Sequence, residues 1–232
     1  MHRILSRLFL AMAVGTLTSF LAACEDTSSR AQTADGSPLP VGSGFDFYVL
    51  SLSWSPGYCR SEGARANRQQ CGTGRSFEWV VHGLWPQFQR GYPEFCEPST
   101  RENVSRSLAE KMFDIMPSTG LVAHQWRKHG SCSGLDQDDY FQTTRRAFAM
   151  IVKPDIDAGQ SQSFSRSHLD VEEAFLEAND ALRPEQIAVT CDRRFLRDVR
   201  ICLTKDLSSF TSCPEVDRRH CQLRNLAVVP AP

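Results

Sequence analysis

Two stretches of this chain gather side chains that can move protons. "HQWRKHGSC", His124 to Cys132, holds two histidines, a lysine and an arginine within six positions and closes on a cysteine. "VVHGLWPQF" brings His82 to the end of an expected strand, followed by Gly83, where backbone can approach a ligand closely. Trp85-Pro86 then sets an aromatic in the expected turn. Imidazole has a reference pKa of about 6.5, so both of its forms are populated near neutrality. Two imidazoles on separate elements, with a lysine beside one of them, are what general acid–base cleavage of a phosphodiester requires. One imidazole takes the proton from a nucleophilic hydroxyl and the other gives a proton to the leaving oxygen. The cation steadies the charged, phosphorane-like transition state.

Blander readings compete. "HQWRKH" taken alone is a solvated basic helix face with incidental histidines, and a lone histidine at a strand end is more often structural. A zincin-type metal site needs histidines at i and i+4 with a glutamate between them. Here they stand at i and i+5, and Lys128 would repel a cation, so neither a metal nor another cofactor is expected. On a helix with His124 at zero, Lys128 falls at about 40°, Gln125 at about 100° and His129 at about 140°. Those four polar groups share one face, while Trp126 is free to anchor the opposite one in a core.

The elements that must hold these residues are mixed along the chain. "FDFYVLSLSW" (Phe45–Trp54) is apolar on both faces and reads as a buried strand, stopped by Ser55-Pro56-Gly57. "SFEWVVHGLW" alternates, with Phe77, Trp79 and Val81 on one face and Glu78, Val80 and His82 on the other. Val104, Leu108, Met112 and Ile115 recur at helical spacing before Pro117; Phe141, Thr144, Phe148 and Ile151 do so before Pro154. Val171, Ala174, Phe175, Ala178 and Leu182 repeat the pattern before Pro184. "QIAVTC" and "FLRDVRICLT" read as closing strands, the second with Phe195, Val199, Ile201 and Leu203 largely inward. The class is α+β.

The first residues indicate export. His2, Arg3 and Arg7 precede an apolar run, Leu8 to Leu21, that is too short to span a bilayer comfortably. Residues 1–23 therefore read as a secretory signal. Leu21-Ala22-Ala23-Cys24 resembles a bacterial lipobox, in which the new N-terminal cysteine is acylated; the alternative is ordinary cleavage after Ala23, with Cys24 a bystander. Nine cysteines are an odd number for an exported chain, and a lipidated Cys24 leaves eight: Cys59, Cys71, Cys96, Cys132, Cys191, Cys202, Cys213 and Cys221. An even set in an oxidising compartment reads as up to four disulfides.

Residues 24–44, rich in Ser, Thr, Gly and Pro, read as a flexible tether, and 45–229 as one globular domain. A composition of 41% hydrophobic and 23% charged residues supports a buried core. The leader carries Arg3 and Arg7 and no acid, so the remainder has 24 basic against 27 acidic residues, a net charge of −3. That argues against a sequence-independent nucleic-acid coat protein. It leaves room for an enzyme with positive charge confined to its cleft.

"HGLWPQ" and "HQWRKHGSC" resemble the two active-site segments of the ribonuclease T2 family. "FDFYVLSLSWSPGYC" resembles its first strand and "FLRDVRICLTKDLSSFTSC" its C-terminal strand pair, so the likeness covers nearly the whole domain. It implies a central, mostly antiparallel sheet with packed helices and several disulfides. It further implies His82 as general acid, His129 as general base, His124 as phosphate binder and Lys128 as the transition-state cation. Trp85 matches an aromatic lining the base or phosphate pocket. The implied disulfides are Cys96–Cys132, Cys191–Cys221, Cys202–Cys213 and Cys59–Cys71.

The family usually has a glutamate where this chain has Gln125, which keeps hydrogen bonding but lacks the charge that would raise a neighbouring imidazole's pKa. The expectation is an endoribonuclease that cuts single-stranded RNA to 2′,3′-cyclic phosphate ends. The chain is expected to be monomeric, in the periplasm or cell envelope, lipid-anchored or else soluble or secreted. The competing expectation is a catalytically weakened envelope lipoprotein that binds RNA or another polyanion on the same face.

Overall fold

β1 (Phe47–Trp54) organises the molecule because its two faces meet different surroundings. Tyr48, Leu50, Leu52 and Trp54 enter the main core, whereas Phe47 and Val49 belong to a smaller cluster on the other side of the sheet. Ser51 and Ser53 continue that second face and are also buried. A computed structural model gives this arrangement for residues 38–97 and 103–232.

Among those residues six strands form one sheet. β2 (Trp79–Gln87) is an edge, pairing antiparallel with β1, and β1 pairs antiparallel with β5 (Phe195–Leu203). β4 (Ile187–Asp192) joins β5 antiparallel, while β6 (Leu226–Val228) meets β5 in parallel at Phe195↔Ala227. β3 (Phe164–Arg166) pairs antiparallel with β6. The sheet is mostly antiparallel, as expected, and the class is α+β.

The helices are α1 (Ser55–Glu62), α2 (Arg68–Cys71), α3 (Arg106–Lys111), α4 (Thr119–Lys128), α5 (Gln137–Met150), α6 (His168–Ala178) and α7 (Pro214–Asp217). Ser55-Pro56-Gly57 ends β1 but opens α1 instead of a turn, because proline's fixed φ and missing N–H suit a helix's first turn. α3 is shorter than its periodicity suggests, with Val104 and Ile115 lying outside it. Both still pack on the core, so the spacing reported burial correctly and helix length less well.

Four disulfides join Cys59–Cys71, Cys96–Cys132, Cys191–Cys221 and Cys202–Cys213, the pairs that the resemblance implies. The tether expected to reach residue 44 ends earlier. Leu39 is buried in the core, and the Ser43 N–H donates to the Ser133 carbonyl at 2.9 Å. The folded region also continues past 229, since the Ala231 N–H donates to Asp157 Oδ2. Cys24, the signal segment and residues 24–37 of the tether lie outside the described residues. Within the described residues no helix is long and apolar enough to cross a membrane.

Candidate active site

The cleft is built by one irregularity in β2. Pairing with β1 runs Ser53↔Val80 and Leu52↔Val81, then resumes at Ser51↔Gly83, so His82 is an extra, unpaired residue. Such a bulge reverses the alternation of faces beyond it. Trp79 and Val81 point into the main core, and so does Leu84, which strict alternation would have placed opposite them. Trp85 consequently packs on the second face, and His82 and Gln87 line the cleft with it. This corrects two expectations. His82 is inside the strand and not at its end, and Trp85-Pro86 continues β2 through Gln87 instead of forming a turn. Pro86 is tolerated because β2 is a sheet edge, where one ladder donor can be missing.

α4 supplies the opposite wall. Ser118 caps its N-terminus, its hydroxyl accepting from the Leu121 N–H. Trp126 is fully buried against Tyr140 of α5, whose hydroxyl donates to the Leu84 carbonyl at 2.7 Å. That chain of contacts docks α4 and α5 onto β2. The approach is close at Gly83, where a Cβ would run into the Gln125 side-chain oxygen and the Trp85 indole nitrogen. The helix ends at Lys128. His129 leaves helical geometry at φ −124° and ψ −48°, yet its N–H still donates to the Gln125 carbonyl. The Phe95 N–H caps the Lys128 carbonyl at 2.9 Å, and Cys96–Cys132 secures this loop to the turn after the helix.

The structure brings together all six residues singled out for the site. His82, Trp85, His124, Gln125, Lys128 and His129 line one open cleft of ≈ 250 Å³. Gln125 is buried and accepts from Trp85 Nε1 at 2.8 Å, so it orients the indole. Trp85 in turn lies 5.3 Å from the His129 ring at 30°, and edge-on to His82 at 5.4 Å. Lys128 Nζ stands 3.4 Å from Glu94 on the loop after β2. His168 and His220, assigned to surface or structural roles, stack on each other at 5.2 Å and bond backbone carbonyls through Nδ1.

Electrostatics separate the imidazoles. Burial pushes His129 down to about 3, helped by the positive field of Lys128 and by His82 and His124. His124 is lowered for similar reasons, by burial and then by Lys128, Arg127 and His82. Both are therefore neutral at physiological pH, with a nitrogen lone pair available. His82 is placed differently: its Nδ1 lies 3.4 Å from Oδ2 of Asp198 on β5.

Sequence reasoning missed Arg200, Tyr92, Glu215 and Arg219, which line the cleft, and Asp198, which stands behind His82. Arg200 and Tyr92 line the cavity, the guanidinium of Arg200 sitting 5.3 Å over the Trp85 ring. A signal existed for two of them. In "FLRDVRICLT" Asp198 and Arg200 alternate with the core residues Val199 and Ile201, so they share the face opposite the core. They look like ordinary outward residues until the second face of the sheet is known to be a cleft.

The chain can be set beside known proteins. A sequence model described as the Ribonuclease T2 family matches residues 45–213. A ribonuclease of Aeromonas hydrophila is 35% identical over 173 residues, spanning 74% of this chain and 77% of that one. Ribonuclease I of Escherichia coli is 26% identical over 205 residues, 70% of this chain and 76% of the other. An RNase-related protein from Calystegia sepium superposes with a TM-score of 0.64 at 20% identity, covering 81% of this chain and 98% of that one. RNase NT in complex with 5′-AMP does so with a TM-score of 0.52 at 22% identity, covering 74% and 92%. At such identities the two structures speak for the fold alone.

Proposed function

The chain belongs to the ribonuclease T2 family and is an RNA-cleaving enzyme, and on that premise we propose that it cuts single-stranded RNA by transesterification between His82 and His129. The 2′-hydroxyl attacks the adjacent phosphorus as His129 takes its proton. The bond from phosphorus to the 5′-oxygen breaks, its electron pair goes to that oxygen, and His82 supplies a proton there. The products are a 2′,3′-cyclic phosphate and a free 5′-hydroxyl end. DNA lacks the attacking hydroxyl and is spared.

One observation carries this reading: a neutral, desolvated imidazole and an imidazole backed by a carboxylate border the same cleft. The first is suited to accept a proton and the second to hold one. Lys128 steadies the charge that develops on the phosphate, and His124 binds the phosphate in the ground state. The bound phosphodiester's negative charge also offsets the repulsion that Lys128 exerts on His129, easing formation of its imidazolium. Trp85 lines the nucleotide pocket, held by Gln125. These groups supply both proton transfers and the cationic clamp, so the reaction is proposed to be metal-independent.

The test is incubation of the purified protein with single-stranded RNA in chelator, followed by analysis of the ends. Cyclic phosphate termini with DNA left intact are expected. Cleavage that disappears with chelation, or that leaves 5′-phosphates, overturns the mechanism. A second reading, a weakened envelope protein that binds RNA or another polyanion, rests on the uncharged Gln125. Tight RNA binding without any new ends would favour it.

Export with a lipid anchor at Cys24 is part of the same proposal. Cys24→Ala should then move the protein from the membrane fraction to the soluble envelope fraction at unaltered specific activity. A mature N-terminus elsewhere than Cys24 would refute the anchor.

A further inference from the structure

Asp198 is an unexpected residue for its position. It sits on a strand flanked by core residues, is 3% exposed, and carries a group whose burial as an unpaired charge would be costly. Its partners come from β1, which pairs with its own strand, and from β2 beyond it. Ser53, directly across on β1, donates its hydroxyl to Oδ1 at 2.5 Å. His82, one strand further on, presents Nδ1 to Oδ2. His82 is the unpaired residue of the β2 bulge and faces the same side as Ser53 and Asp198, so β2, β1 and β5 contribute one group each to a row across the sheet.

We infer that Asp198 is a positioning residue for His82: it accepts the Nδ1 proton, fixes the ring's orientation and leaves Nε2 as the nitrogen that exchanges a proton in the cleft. The inference rests on the assignment of His82 as the general acid.

The row is rigid. Asp198 is held by ladder pairing with Ser53, and its carbonyl accepts from the Thr190 hydroxyl at 3.1 Å. Burial pushes its carboxyl up, but His82, the Ser53 hydroxyl and Arg200 outweigh that and hold it down at about 2. It is therefore an anion at any pH where the enzyme works. An anion against Nδ1 does two things. It selects the tautomer with hydrogen on Nδ1, and it stabilises the positive charge that the ring bears while both nitrogens are protonated. When the Nε2 proton passes to the 5′-oxygen, the ring is left neutral with its Nδ1 proton still on Asp198. The carboxylate's own charge does not change. Other charged or titratable groups share the two cavities that His82 borders. They are Arg197 and Arg200 from β5, His124 and Lys128 from α4, His129 at its cap, Tyr58 from α1, Tyr92 from the loop after β2, and Glu215 and Arg219 in and after α7.

Asp198→Asn, Asp198→Glu and Ser53→Ala test this in the full-length protein. A purely structural carboxylate would affect melting temperature and little else. A positioning carboxylate changes the tautomer, because the asparagine amide can donate to Nδ1 and push the hydrogen to Nε2. Nitrogen-15 NMR of the His82 ring should show the Nδ1–H form in the parent and a shift toward Nε2–H in Asp198→Asn. Turnover should fall by about 10²–10⁴-fold. The alkaline limb of kcat/KM should move toward acid, and Asp198→Glu should recover part of both. An unchanged ring tautomer together with an unmoved alkaline limb, in a variant that melts like the parent, overturns the inference. Should Asp198→Asn fail to fold, Ser53→Ala removes only the supporting hydroxyl, and a limb moving in the same direction is expected. No movement there overturns the inference equally. Full cleavage by His82→Ala would instead sink the acid assignment, whereas the NMR readout reports the Asp198 contact whatever reaction the ring serves.

Discussion

His82 and His129 border one cleft from opposite walls. His82 stands on a bulged strand with 28% of its side chain exposed and a buried carboxylate behind its ring. His129 closes a helix, is 6% exposed, and has Lys128 and two further imidazoles around it. Nothing in the side chains distinguishes them. The surroundings do: a buried carboxylate faces Nδ1 of the first ring, while burial and neighbouring cations push the second toward its neutral form. The difference teaches that role follows from the sign of the nearest charge and from solvent access, both of which depend on which elements lie adjacent.

The largest test of this contrast removes each ring in turn. His82→Ala and His129→Ala should each lower turnover by about 10²–10⁴-fold, the usual contribution of a positioned acid or base. Full activity in either, measured on a dinucleotide substrate, breaks the pairing.

Separating the two walls should cost less. Gly83→Ala forces a methyl group between β2 and α4, against the Gln125 amide and the Trp85 indole. A loss of about 1–3 kcal/mol in stability is expected from the overpacking. Activity should fall on the order of 10-fold to 10²-fold as the rings lose register. Denaturant melts and kinetics on one preparation check both. A variant with parental stability would mean that the close approach is not needed.

Smaller again is the effect of the third imidazole. His124→Ala should raise KM by about tenfold, the value of one hydrogen bond to a charged phosphate, with a lesser change in kcat. A fall confined to kcat would make His124 part of the chemical step instead.

The smallest effect sharpens the electrostatic half of the comparison. As the proposed base, His129 works only when unprotonated, so activity should be lost as pH falls through its pKa. With that value down at about 3, the acid limb of kcat/KM should begin far below an ordinary histidine's. Gln125→Glu gives His129 the kind of neighbour that His82 already has in Asp198. It keeps the acceptor for the Trp85 indole but adds negative charge, and should move the limb to higher pH by about half a unit to one unit. A downward shift, or none, at fixed ionic strength would show that position 125 does not act on His129.

Much of this was readable in advance, for local reasons. Helical spacing found α5 and α6 because an amphipathic face leaves a periodic trace. The wheel on "HQWRKH" put His124, Gln125, Lys128 and His129 on one face with Trp126 opposite, and they do line the cleft while Trp126 is buried. It did so although His129 lies just past the helix end, since one residue beyond the last turn still follows its direction. The end of the strand carrying His82 misled for an equally clear reason. Trp85-Pro86 reads as a turn because proline cannot donate to a ladder, but β2 is a sheet edge that tolerates it, and being an edge is a property of the whole sheet, not of one strand.

What the sequence by itself determined is therefore six of the side chains that line the cleft, the α+β class and the helices that present an apolar stripe, because residue type and spacing act within a few positions along the chain. Tertiary structure alone decided that β2 skips a residue against β1, that Leu84 joins the core while Trp85 leaves it, and that Asp198 meets His82 across Ser53. His82 and Asp198 are 116 residues apart in the chain. A contact at that separation leaves no periodic trace; it exists only once three strands are in register, and that register is set by the burial of every residue on the sheet's two faces at once.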